Sequence, residues 1–149
     1  MSVSVQIEDF EVSEALSTLR QQACVGAIVS FVGLVRDMND GSHVNTLTLE
    51  HYPGMTEKAL MAIEAEAKAR WNIMDTVIIH RVGQLSLQDQ IVLVAVASAH
   101  RQDAFSACEF IMDYLKTQAP FWKKELTPQG ERWVDAKASD DAAKLRWEN

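Results

Sequence analysis

The sequence predicts a single α+β domain with a mainly antiparallel sheet, and three observations carry that expectation. Its 149 residues are enough for one well-buried core. Its apolar patterns alternate between period two and helical spacing in the order strand, helix, two strands, helix, two strands, helix, hairpin. No internal repeat, low-complexity run or linker divides them. The domain is expected over residues 1–135, with 136–149 a polar tail.

Val3-Ser4-Val5-Gln6-Ile7 alternates as a first strand, and Ser13 is placed to cap a short helix through Leu16 and Leu19. Gly26 to Val35 reads as a second strand whose Gly33 marks a bulge or a close backbone approach. Arg36 to His43 is a polar loop, and Val44 to His51 alternates again. After the Pro53-Gly54 turn, Thr56 is expected to cap a helix to about Trp71. Ala59, Leu60, Ile63 and Ala67 form its buried side, with Glu57, Lys58, Glu64, Glu66 and Lys68 exposed. Thr76 to Val82 is a strand ending at Gly83, and Ser86 to Gln90 connects it to the buried strand Ile91–Ala97. Ala104, Cys108, Ile111 and Leu115 then share a helix face, with Phe105 and Met112 beside them, until Pro120 removes a backbone donor and stops the helix. Thr127-Pro128-Gln129-Gly130 carries a type I turn signature that joins Lys124–Leu126 to Arg132–Val134 as a hairpin. Asp135 to Asn149 reads as a loose tail or a short helix.

Composition narrows the function. Fourteen basic against twenty-one acidic residues leave a net charge of −7, which argues against general binding to nucleic acid. No apolar run approaches the roughly 18 residues of a membrane span, and Met1-Ser2-Val3-Ser4 lacks the regions of a signal peptide, so a cytoplasmic location is expected. Cys24 and Cys108 are too far apart for a Cys-x-x-Cys pair; Cys108 should be buried and inert, and nothing near Cys24 supplies a cation to favour its thiolate. His43, His51, His80 and His100 are scattered, so no metal or other cofactor is expected, and His51 and His80 are read as structural groups at strand ends.

What remains is cation-based chemistry. His100 and Arg101 sit at a strand-to-helix junction, where free N–H groups and the helix dipole favour an anion. Arg36 is a further anion-binding candidate, and Lys116 and Lys123, on either side of Pro120, could converge on a reacting centre. As ammonium ions they would stabilise an oxyanion in acyl transfer. Phe121 and Trp122 are read first as core residues and second as a stacking surface for a flat heterocycle. The helix separates His100 and Arg101 from the lysines by roughly 20 Å, more than one small substrate spans. Either there are two sites, or two copies of the chain meet so that each supplies one end; the second arrangement is adopted as the working expectation.

Leu49-Glu50-His51-Tyr52-Pro53-Gly54-Met55, Ser98-Ala99-His100-Arg101 and Tyr114-Leu115-Lys116-Thr117 followed by Ala119-Pro120-Phe121-Trp122-Lys123 resemble the large, catalytic subunit of molybdopterin synthase, over about Gly26 to Val134. The resemblance implies an α/β-hammerhead-type fold. It implies a sulfurtransferase of molybdenum cofactor biosynthesis that adds two sulfurs to cyclic pyranopterin monophosphate (precursor Z) to form the molybdopterin dithiolene. The sulfur would arrive as a thiocarboxylate on the C-terminal Gly-Gly of a small ubiquitin-like carrier subunit. A homodimer of the large subunit would form the centre of a heterotetramer. By the same resemblance, Lys116 and Lys123 are the catalytic lysines beside the carrier tail, Arg36, His100 and Arg101 bind the anionic substrate with some of them reaching in from the second copy, and Glu125 lies nearby as a supporting residue. The competing reading is a non-catalytic dimeric domain that binds an anionic metabolite.

Overall fold

A computed structural model of the chain describes residues 2–39, 42–134 and 138–148. In chain order the elements are β1 (Ser2–Gln6), α1 (Val12–Leu19), β2 (Ala27–Leu34), β3 (Met38–Asn39), β4 (Ser42–His43), β5 (Thr46–His51), α2 (Met55–Arg70), β6 (Ile73–Arg81), β7 (Gly83–Ser86), β8 (Gln90–Ser98), α3 (Arg101–Gln118), β9 (Phe121–Thr127), β10 (Gly130–Val134) and α4 (Ala138–Leu145). One four-stranded sheet has the order β1-β6-β8-β2, a second the order β10-β9-β5-β7, and β3 and β4 form a small ribbon. Only β1 and β6 pair in parallel among these ladders, so the α+β class with mainly antiparallel pairing is what the structure has.

The centre of the first sheet is β8, whose residues Val92 to Ala97 are all buried. A strand covered on both faces must be apolar throughout rather than alternating. Here α2 and α3 cover one face, packing Leu60, Ile63, Phe110 and Ile111 against Ile78, Val94 and Val96. On the other face α1 brings Leu19 with Phe10 against Val77, Leu93, Ala95 and Ala97. A third cluster, Val35, Leu47, Leu49, Val82 and Leu85, joins the first sheet's end to the second sheet.

Several local expectations are corrected. Thr56 does not cap α2; it is buried, accepting from the Tyr52 N–H at 2.9 Å and donating to the Pro120 carbonyl at 2.9 Å. The cap is Gly54, whose N–H donates to the Glu57 carboxylate at 3.1 Å. Phe105 is 61% exposed rather than part of the α3 core face, and Trp122 is 47% exposed rather than packed inside. Residues 83–86, read partly as connection, form β7 against β5. Of the loose tail or short helix expected at the C-terminus, the described residues form the helix: α4 lies on α3, Arg146 pairs with Glu109 and Asp113, and Trp147 stacks edge-on against Trp71 and Phe110. Among the described residues no helix is long and apolar enough to cross a membrane.

Glu64 is the clearest reversal, because it is buried at 6% exposure and accepts a hydrogen bond from the Thr76 hydroxyl across the α2–β6 interface. Burial holds its carboxyl above the ordinary range, partly offset by that bond. A raised carboxyl pKa in the native state means that stability is greatest below the unfolded value and declines as pH rises through the native one. Glu64→Gln keeps an acceptor for Thr76 without a buried charge. It should therefore raise Tm at pH 7 by roughly 2–4 °C, about what 1 kcal/mol gives in a chain of this size, with the gain vanishing below about pH 4; thermal melts across that range check it.

Candidate active site

The site begins where β2 leaves the first sheet. The pairing of β2 with β8 shifts register between Gly33 and Leu34, the bulge the glycine foretold. A Cβ at Gly33 would sit 2.9 Å from Val92 Cγ1, so a side chain there would push the strands apart. Past the bulge, the Val35 N–H bonds to the Asp89 carbonyl and the Gln88 N–H to the Val35 carbonyl, at 3.0 and 2.8 Å. These contacts hold the strand exit and leave Arg36 exposed at the mouth of a cavity.

That cavity has a volume of about 430 Å³ and lies between the end of β2, the last turn of α3 and the inner face of the second sheet. Lys116 comes from the last turn of α3. Pro120 ends the helix and the chain turns directly into β9, which pairs with β5 from His51↔Phe121 to Thr46↔Leu126. Side chains alternate along a strand. Phe121, Lys123 and Glu125 therefore face the cavity, while Trp122, Lys124 and Leu126 fall on the other side. Lys124 is engaged there, 3.6 Å from Glu131 and over the Trp133 ring.

Arg36, Lys116, Lys123 and Glu125 thus line one cavity. Glu125 is 4% exposed and pairs with Arg132 at 3.2 Å, so a large part of its charge is answered from β10. Three cations stand against two carboxylates in this wall, Glu125 paired with Arg132 and Asp140 from α4, an excess of positive charge that attracts and polarises an anion or a developing oxyanion.

His100 and Arg101 are not at this cavity. Both are exposed at the start of the 18-residue α3, roughly 23 Å along the axis from Lys116. They lie instead beside the beginning of β2: the Gly26 N–H bonds to the Ser98 carbonyl at 2.9 Å, and a Cβ at Gly26 would meet the Ala99 carbonyl oxygen at 2.3 Å. One chain therefore presents its two cationic groups at opposite ends of β2 and α3.

Two lining residues were not singled out for chemistry in the sequence. Asp140 comes from α4. His80 is buried at 4% exposure, with Nδ1 2.8 Å from the Arg81 carbonyl and its ring stacked 3.8 Å from Phe121. Burial drives its pKa down to about 3; the hydrogen bond to Arg81 opposes this, while the charges of Lys116 and Lys123 add to it. The imidazole is consequently neutral. Alternation along β6 was the available signal, since it puts His80 on the same face as Ile78, beneath the end of α3.

Cys108 is buried, which pushes its thiol up to about 11, whereas Cys24 is exposed with its sulfur 3.6 Å from that of Met74. Among the described residues no group of three or more His, Cys, Asp or Glu side chains is placed to hold a metal ion.

Comparison with known proteins agrees with this architecture. The family model described as MoaE protein matches residues 5–118. The molybdopterin synthase catalytic subunit of Ralstonia nicotianae is 58% identical over 147 residues, covering 98% of this chain and 84% of the relative. The solved structure of the molybdopterin biosynthesis MoaE protein from Burkholderia ambifaria superposes with a TM-score of 0.84 at 55% identity, over 99% of this chain and 98% of that one. Molybdopterin synthase from Staphylococcus aureus superposes with a TM-score of 0.82 at 35% identity, over 88% and 95%. Near-complete coverage at this identity removes the non-catalytic metabolite-binding alternative. A cationic cavity built by β2, α3 and β9 and close relatives along the whole chain lead to one conclusion: the chain belongs to the MoaE family, the catalytic subunits of molybdopterin synthase, which act in molybdenum cofactor biosynthesis.

Proposed function

We propose that the cavity performs sulfur transfer from the C-terminal thiocarboxylate of a small ubiquitin-like carrier subunit to precursor Z. The supporting observation is the convergence of Arg36, Lys116 and Lys123 on one cavity from three separate elements. The thiocarboxylate sulfur attacks a side-chain carbon of the pterin, that carbon's bond to oxygen breaks with the departing oxygen taking up a proton, and a thioester then joins carrier and substrate. Water then adds to the acyl carbon, the acyl carbon–sulfur bond breaks, the carrier leaves as a carboxylate and the sulfur stays on the pterin. Lys116 and Lys123 stabilise the oxyanion of that addition, Arg36 holds the anionic substrate, and Glu125 positions Lys123 from the strand they share. A second loaded carrier repeats the cycle to complete the dithiolene.

In this proposal His100 and Arg101 complete the substrate site of a second copy. Strand β2 lies at the edge of its sheet, with Phe31 and Leu34 substantially exposed. Two copies paired antiparallel through this edge would put the start of one β2 beside the end of the other. Eight strand residues span about 26 Å, close to the roughly 27 Å of α3, so the same two-fold carries His100 and Arg101 toward the other copy's Arg36. The homodimer with one carrier at each end is the heterotetramer of this reading, acting in the cytoplasm.

Among the described residues no cysteine lines the cavity, so the sulfur is expected from outside it. Purified chain with precursor Z alone is expected to form no dithiolene, and thiocarboxylated carrier should start turnover; product formation without the carrier would contradict the proposal.

A further inference from the structure

His80 lines the cavity, yet the roles assigned above leave it unused. Its Nδ1 lies 2.8 Å from a carbonyl oxygen, which only accepts, so the proton of the neutral ring sits on Nδ1 and Nε2 is a bare acceptor. Among the described residues nothing donates to Nε2, although the side chain is 4% exposed. A buried acceptor without a donor is destabilising unless something supplies one. The stack on Phe121 and the bond to Arg81 fix the ring plane, so this acceptor is preorganised rather than free to turn away.

We propose that His80 Nε2 receives a backbone N–H of the carrier's glycine tail, an inference that rests on the sulfur-carrier reading above. Glycine has no side chain, so a diglycine tail can be recognised only through its N–H and C=O groups and its terminal acyl group. The cavity's cations serve the oxygens and the thiocarboxylate; an acceptor is needed for the N–H. Among the acceptor side chains that the described residues place in the wall, Glu125 and Asp140 are carboxylates, Glu125 being paired with Arg132, and His80 is the uncharged one. A neutral acceptor also suits a cavity that must hold an anionic tail, because it adds no further negative charge to the two carboxylates already in the wall.

The test is carrier binding by titration calorimetry, using semisynthetic carriers in which each of the last two peptide N–H groups in turn is replaced by an ester oxygen. For one of the two esters, the wild-type chain should lose about tenfold in affinity. His80→Leu should bind the ordinary carrier about tenfold more weakly and lose nothing further with that ester, while His80→Gln, which keeps an acceptor, should stay sensitive to it. If His80→Leu does not fold, His80→Phe, which keeps a flat ring against Phe121 without an acceptor, takes its place with the same expectations. Equal ester losses in wild type and His80→Leu, or no ester loss in wild type, would overturn the His80 assignment while sulfur transfer from the ordinary carrier left the carrier reading standing. Failure of any carrier to bind would overturn both.

Discussion

Lys123→Ala and Lys116→Ala are each expected to slow sulfur transfer by about 10²–10³-fold, the usual loss when one preorganised oxyanion donor is removed. Carrier affinity should change by less than about tenfold, since most of a carrier interface lies outside a 430 Å³ cavity. The two lysines reach the cavity by different routes: Lys116 from the end of a helix and Lys123 from the third residue of a strand. Neither can move into the other's place without unwinding an element, so the losses should not compensate each other. Lys124→Ala is the internal control, because that side chain faces away and pairs with Glu131. Single-turnover measurement with preformed thiocarboxylated carrier separates chemistry from binding, and full rates in the two lysine variants would make the assignment of roles wrong.

Arg101→Ala and His100→Ala should act on substrate binding. A charge-assisted contact to an anionic group is worth about 1.5–3 kcal/mol, so KM for precursor Z should rise about 10- to 100-fold while kcat falls far less. Neither residue touches the cavity of its own chain, so a model of one isolated copy gives no reason for this effect. Steady-state kinetics against precursor Z at saturating carrier checks it; unchanged KM in both variants would remove these residues from the site.

Much of this arrangement is legible from the residues in order. The apolar run Ile91–Ala97 announces a strand covered on both faces, and the helical spacing of Ala104, Cys108, Ile111 and Leu115 follows it at once, so the junction at His100 and the last-turn position of Lys116 are both readable. Gly33 likewise announces its bulge. What is not readable depends on which surfaces meet. Lys123, Lys124 and Glu125 look alike as a charged run; only the pairing of β9 with β5 sorts them to opposite faces. Glu64 looks like one more exposed charge on α2 until β6 places Thr76 against it. Phe105 and Trp122 carry apolar side chains at positions that no other element of a single copy covers. His80 and Asp140 become wall residues only because the ends of β6 and α4 come to one place, and spacing in the sequence cannot express that.

The claim on which the rest depends is that one working site takes its lysines from one copy and His100 and Arg101 from the other. Mixing variants tests it most directly. Lys116→Ala chains, slowed in chemistry, and Arg101→Ala chains, weakened in substrate binding, would be denatured together, refolded at equal concentration and assayed with carrier and with precursor Z well below the KM of Arg101→Ala. In a mixed dimer with shared sites, one site carries both defects and the other carries neither, so random pairing should restore about a quarter of wild-type activity. If each site is built within one chain, every site in the mixture keeps a defect. Recovery near a quarter is the predicted result, and activity no higher than that of the two variants assayed separately would contradict it.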